Sequence, residues 1–206
     1  NPSPVTGDQD ISLGSSAPSG RFSHLGGGSF AETNTVTILS GEDTVSFYYR
    51  DTVAASGTIT VSADGQPWAD AQQAITVENG PFNASMSEVN VDKITATADN
   101  ADLVTVTVIA KDAFGNPIPE KPVVISVTPT RPENTITQPM GVTDSEGRAV
   151  GSVKSTKAEL KTLGATVAGT AVTMTPEVTF EAGPFSAGMS EVNVDKITAT
   201  ADNADL

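Results

Sequence analysis

His24 is the one histidine in the chain, and there is no cysteine. A Ser-His-Asp triad would have to use that imidazole as its base. His24 lies in the Gly- and Ser-rich stretch SSAPSGRFSHLGGGSF, with no second histidine to help it, and reads as a surface residue. The same stretch contains HLGGGSF, whose glycines would suit a close approach to phosphate. It lacks the Lys-Ser/Thr that follows in a phosphate loop and the helix that would present backbone amides, so it reads as a flexible loop. Without cysteine there is no thiolate zinc site, no disulfide framework and no thiol nucleophile. Pairs of carboxylates can run glycoside hydrolysis, but with 25 acidic residues some pairs fall close by chance, and no spacing marks one out. No catalytic, cofactor-binding or metal-ligating residue is assigned, and the chain is not expected to be an enzyme.

Three sets of residues could bind rather than react. Trp68 sits in DGQPWADAQ, a turn between two predicted strands. An exposed turn tryptophan can stack on a sugar ring, yet such a residue more often covers the end of its own domain, which is the preferred reading. In TVSFYYRD, alternation places Val45, Phe47 and Tyr49 on one face, expected to be core. Ser46, Tyr48 and Arg50 fall on the other, expected to meet solvent. The turns DAFGN and DSEG place Asp112, Asn116, Asp144 and Glu146 where they could offer oxygen ligands to a structural calcium ion. Neither turn has the D-x-D-x-D-G pattern, and Asp and Gly favour turns without any metal. No cofactor is therefore expected.

The elements that must position these residues are strands. Thr, Val, Ala, Ser, Gly and Pro dominate the composition, and only ten of 206 residues are aromatic. This mixture suits many short strands joined by frequent turns. The formal net charge of -14 repels phosphate backbones and anionic lipid surfaces, so nucleic-acid binding is not expected. No apolar run approaches the length of a membrane span, and membrane insertion is not expected. The chain opens NPSPVTGDQD, without an initiating Met, which marks it as an expected piece of something longer.

The stretch MSEVNVDKITATADNADL occurs at 86–103 and again, letter for letter, at 189–206. The likeness extends upstream: ITVENG and GPFNAS at the first junction match VTFEAG and GPFSAG at the second. Met86 to Met189 is a step of 103 residues, too long for a solenoid repeat and the size of one β-sandwich domain. Three domains are expected. Residues 1–79 form an Ig-like β-sandwich without its opening strands, 80–183 a complete domain, and 184–206 the opening strands of a further repeat or a donor segment.

Period-2 patterning cuts the complete unit into about seven strands, the number of an immunoglobulin-like sandwich. SEVNVDKITATA opens it. Val104, Val106, Val108 and Ala110 alternate with Thr105, Thr107, Ile109 and Lys111, and Val123, Ile125 and Val127 share one face of PVVISVTP. TITQPMGVTD and RAVGSVKST flank the DSEG turn, and TLGATVAGT and AVTMTPEVTF close the unit. In TKAELKTLG, Thr156 and Glu159 stand at capping-box spacing ahead of Leu160 and Leu163. That predicts either a single helical turn or a plain loop. In the first unit DISLGS, NTVTILS, DTVSFYYRDT, GTITVSADG and QAITVENG read as strands, and SSAPSGRFSHLGGGSF as a long loop.

These segments carry a resemblance. VTVTVIAKDAFGNPIPEKPVVISV, GVTDSEGRAVGSV and GTAVTMTPEVTF are similar to the bacterial immunoglobulin-like group 1 domain of invasin- and intimin-type surface proteins. The resemblance covers about 84–182, and its most recognisable parts are KDAFGNPIP and TDSEGRA. SGEDTVSFYYRDTVAASGTITVSADG in the first unit is similar to related bacterial Ig-like repeats. The resemblance implies an all-β fold of tandem immunoglobulin-like β-sandwiches, an extracellular or cell-surface location, and an architectural role without catalytic residues.

The expected function is a structural or adhesive repeat segment that spaces or presents something else. Its expected partners are other copies of itself or neighbouring repeats. The alternative is a glycan- or protein-binding module attached to an extracellular enzyme or adhesin, with host or environmental glycan or protein as its partner. The proline-containing junctions NGPFNAS and AGPFSAG are expected to be short and stiff. The tail resembles what the first unit lacks, so strand addition from one copy to the next is a further expectation, and it would build a filament.

Overall fold

Alternation of β-branched and polar residues over short stretches commits the regular structure of this chain to strands. The computed structural model describes residues 3–27, 29–194 and 197–198. The first sandwich contains β1 (Gln9–Ser15), β2 (Arg21–Ser23), β3 (Thr35–Ile38), β4 (Tyr48–Arg50), β5 (Ala55–Ala63) and β6 (Ala71–Val77). One sheet runs in the order β3-β1-β5-β6, and β2 pairs with β4 in a second, two-stranded sheet. Its core is small: Ile11, Leu13, Phe22, Val36 and Ile59 are buried, with Phe47, Tyr49 and Ile75 packed against them. The ring of Phe22 meets those of Phe47 and Tyr49 at centroid distances of 5.8 and 5.3 Å.

The second sandwich contains β7 (Glu88–Val91), β8 (Thr95–Thr97), β9 (Val104–Ile109), β10 (Val123–Thr128) and β11 (Asn134–Thr137). β12 (Arg148–Ser155), β13 (Glu159–Val167), β14 (Thr170–Ala171) and β15 (Glu177–Glu181) complete it. One sheet has the order β10-β13-β15-β8, with β14 paired to β13, and the other the order β11-β12-β9-β7. All pairs are antiparallel except β15 with β8. Val104, Val106, Val108 and Ala110 are fully buried, and Val123, Ile125 and Val127 face them from the other sheet. Each of these valines and isoleucines contributes about 2 kcal/mol by leaving water, and together they make the second core much the larger of the two.

The two sandwiches share part of one plan. β1, β5 and β6 stand in the order that β10, β13 and β15 follow in the second unit. The second unit adds β8 beside β15, and β9 and β7 beside β12. Among the described residues the first unit has no strand in those three places.

Two local expectations change. TKAELKTLG forms no helical turn, and only Thr156, Lys157 and Ala158 are loop. From Glu159 it is β13, because Lys161, Leu163, Ala165 and Val167 alternate inward against exposed or half-exposed neighbours. The period-2 burial of four side chains outweighs one capping-box spacing. The stretch SSAPSGRFSHLGGGSF is not loop throughout either. Arg21–Ser23 pairs with β4, and Phe22 is a core residue. Gly26 is packed against Tyr48, where a Cβ would come within 2.6 Å of the ring.

Candidate functional site: the junction between the sandwiches

The chain leaves β6 at Val77 and enters the second sandwich through Glu78, Asn79, Gly80 and Pro81. Opposite this crossing lies the turn DAFGN, which follows β9 and reverses at Gly115, in the left-handed region at φ +85°. Asp112 organises the turn. Its Oδ1 accepts the backbone N–H groups of Phe114 (2.8 Å) and Asn116 (2.9 Å). Its Oδ2 accepts the Gly80 N–H and an Asn116 Nδ2–H, each at 2.8 Å. Phe82 forms an isolated bridge with Asp112, and the Asn83 N–H donates to the Lys111 carbonyl. Phe82 thereby packs against the second core.

Asn116 faces the other way. Its Oδ1 accepts the Ala54 N–H at 2.9 Å, and its Nδ2 donates to the Thr52 carbonyl at 2.9 Å. One side-chain amide thus pairs with a backbone donor and a backbone acceptor two residues apart, as a neighbouring strand would. The first sandwich is tied to the second at the loop before β5 and at the exit from β6.

Asp112 is 1% exposed. Burial pushes its pKa up, but the donors from Asn116, Gly80 and Phe114 favour the charged form more strongly and hold it at about 2. The oxygen atoms proposed for calcium are therefore engaged at this turn by protein donors. Asp144 Oδ1 likewise accepts the N–H groups of Glu146 and Arg148 within its own turn. The structure brings Asp112 and Asn116 into direct contact. Among the described residues no group of three or more acidic or histidine side chains is placed to hold a metal ion.

The remaining candidates are dispersed. His24 is exposed on its loop. Trp68 is 57% exposed and borders an open depression with Gln66 and residues 3–9, so it does not cover the first core as expected. The first core is built from Ile11, Leu13, Phe22, Val36 and Ile59, and Trp68 is not among the residues packed against it. Phe47 and Tyr49 pack on the core, whereas Val45 lies before the strand begins and is exposed. Arg50 stacks over Phe30, 3.9 Å from its ring centroid, and with Arg21 reaches Glu32 at 3.6 and 3.8 Å.

Sequence reasoning missed Lys161. It is fully buried in β13, with its ammonium 2.8 Å from Glu159 Oε1, and Arg131 lies 3.0 Å from the same oxygen. The Lys161 hydrogen bond chiefly holds the Glu159 pKa below the usual carboxylate range. Alternation with Leu163 and Ala165 was the signal that could have found it, had β13 been read from Glu159.

The terminal repeat differs from its first copy in surroundings. Val89 is 1% exposed and Val192, its counterpart, 94%. Phe185, the counterpart of Phe82, is 82% exposed. Apart from one 3₁₀ turn at Ala187–Met189, the described part of the tail has no regular structure. The rest of the expected donor segment, 195–196 and 199–206, lies outside the described residues.

Residues 86–181 match the family described as bacterial Ig-like domain (group 1). The Escherichia coli adhesin FdeC superposes at a TM-score of 0.56 and 19% identity, over 90% of this chain and 62% of that one. Yersinia pseudotuberculosis InvD gives 0.56 and 20%, over 92% and 52%. Invasin, a bacterial integrin-binding protein, gives 0.47 and 18%, over 86% and 33%. The chain thus spans less than two thirds of the length of each. At these identities the likeness of the first two is one of fold, and it extends across both sandwiches. The second sandwich, through β7–β15 and the Asp112–Asn116 turn, is the part of the chain that matches the bacterial Ig-like domain (group 1) family.

Proposed function

We propose that this segment is a non-enzymatic spacer of a bacterial cell-surface or secreted adhesin-type protein, holding other parts of that protein at a set distance and angle. The observation that carries the reading is the junction. The Asn116 amide and the Asp112 carboxylate fasten backbone groups of the first sandwich to the second without a flexible linker. A loose tether would present Gly and Ser with solvated backbone instead. Small-angle scattering tests it: an elongated particle of constant dimensions from low to moderate salt is expected. A compact or broadly distributed particle would sink the reading.

The second copy of the repeat, exposed through its described residues 189–194, supports two routes of assembly. In one, 184–206 are the opening strands of a following sandwich in the same protein. In the other, they add to the first sandwich of another copy and build a filament. The tail carries sequence counterparts of β7 and β8 but not of β9, and β7 pairs with β9. A donated β7 counterpart would find no ladder partner in the acceptor, so we favour the first route. Deletion of 184–206 tests the second. Polymer lost on deletion would establish strand addition, and an intact chain that stays monomeric at high concentration would eliminate it.

Trp68 supports a separate reading as a glycan-binding module, because its indole is exposed beside an open depression that Asp8, Gln9 and Gln66 also line. Specific retention on a glycan array that disappears with Trp68→Ala would establish it.

A further inference from the structure

The first junction uses three backbone groups: the Thr52 carbonyl, the Ala54 N–H and the Gly80 N–H. Their positions follow from the β5–β6 hairpin. Thr52-Val53-Ala54 runs directly into Ala55, which is paired with Val77, and Gly80 lies three residues beyond Val77. The β13–β15 hairpin of the second sandwich repeats this arrangement. Thr156-Lys157-Ala158 runs directly into Glu159, which is paired with Phe180, and Gly183 lies three residues beyond Phe180. Both loops read Thr-x-Ala, and both exits read Gly-Pro-Phe.

At the first junction Ala54 and Gly80 are half-buried. At the far end Thr156, Ala158 and Gly183 are all exposed, and the Thr156 carbonyl and the Ala158 and Gly183 N–H groups have no partner among the described residues. Further along the chain Phe185 and Val192 are exposed, whereas of their counterparts Phe82 packs against a sandwich core and Val89 lies within it. The second sandwich thus presents, exposed, the counterparts of the three backbone groups that the first sandwich offers to Asp112 and Asn116.

We propose that the Thr156 carbonyl, the Ala158 N–H and the Gly183 N–H form a socket for a following sandwich that carries the DAFGN turn. Its asparagine would pair with Thr156 and Ala158, and its aspartate would accept the Gly183 N–H. The residues at 189–206 repeat 86–103 letter for letter, which makes a further copy of the second sandwich the fitting occupant. Successive sandwiches would then meet with one repeated geometry, and a spacer of any number of units would stay stiff. This inference rests on the spacer reading.

The test extends the full chain after Leu206 with a copy of residues 104–183, which completes a sandwich from the existing tail. Amide hydrogen exchange is read by NMR in the chain alone, in the extended chain, and in an extended chain whose added copy carries the Asn116→Ala change. Exchange at Ala158 and Gly183 should slow by about tenfold or more on extension. The slowing at Ala158 should vanish in the variant while the added core amides stay protected. No slowing beside a protected added core overturns the socket, and so does an added copy whose core amides exchange freely. Scattering from the same sample separates the two readings. An elongated particle with fast Ala158 exchange ends the socket alone, and a compact particle ends the spacer reading.

Discussion

Asp112 accepts the Gly80 N–H at 2.8 Å, across 32 residues of chain, while the same carboxylate takes two N–H groups of its own turn. One acidic side chain thus shapes a turn and anchors the incoming chain. Its position three residues beyond the end of β9 puts it where both tasks can be done at once.

That anchoring should depend on pH in a definite direction. An unfolded aspartate titrates near 3.9, and Asp112 in the fold is held at about 2. Its contribution is complete above the unfolded value and is lost as pH falls through about 2. It amounts to roughly 2 kcal/mol. Asp112→Asn turns an acceptor into a donor facing N–H groups, so it should lower the stability of the second sandwich by about 2 kcal/mol at neutral pH. It should also flatten the loss between pH 4 and pH 2. Calorimetric melts of both proteins across that range check it, and parallel pH profiles would contradict it.

Asn116→Ala removes the pairing with Thr52 and Ala54 and the Nδ2–H bond to Asp112, but leaves the three backbone N–H groups of Gly80, Phe114 and Asn116 on the Asp112 carboxylate. The amide of Ala54 should exchange about tenfold faster. The amide of Val106 in the buried centre of β9 should be unaffected. Exchange that rises equally at both sites would mean that the variant loosens the whole sandwich rather than the junction.

Lys161 is fully buried against Glu159, which makes the two partners unequal. Glu159→Gln leaves an ammonium inside the protein without its carboxylate and should cost about 3 kcal/mol. Lys161→Met keeps the aliphatic stem, removes the charge, and leaves Glu159 to Arg131. It should cost far less, about 1 kcal/mol or under. Urea denaturation midpoints of the two variants decide it, and a Lys161→Met variant less stable than Glu159→Gln would refute the account.

Leu163 is fully buried and Leu160 is 53% exposed, although they stand three residues apart in one strand. Leu163→Ala should lose about 3 kcal/mol, and Leu160→Ala less than about 1 kcal/mol. A helical turn over these residues would make the two losses similar, so the pair of melting temperatures also tests the strand.

Where a strand buries a long face, its pattern is open to reading. Val104, Val106, Val108 and Ala110 alternate without interruption, and every one is buried. β2 escaped because three residues carry one core side chain, Phe22, inside a run of Gly and Ser. The start of β13 is hidden because Lys161 stands at a core position, and a charge there breaks the apolar alternation even though Glu159 neutralises it. The junction was invisible for another reason. Asp112 and Asn116 are recognisable as turn formers, but their partners are backbone groups, and an N–H or C=O has no letter of its own.

The repeat separates the two kinds of information most sharply. The sequence by itself determined the strand-forming pattern and the period of the units, because these follow from alternation and turn chemistry within short stretches. Tertiary structure alone decided what an identical stretch becomes. Val89 is 1% exposed because β9 pairs with its strand and the opposite sheet covers it. Val192, in the same eighteen letters, is 94% exposed. A strand pattern states which face is apolar. Burial requires a neighbour on both the edge and the face, and that neighbour comes from elsewhere in the chain.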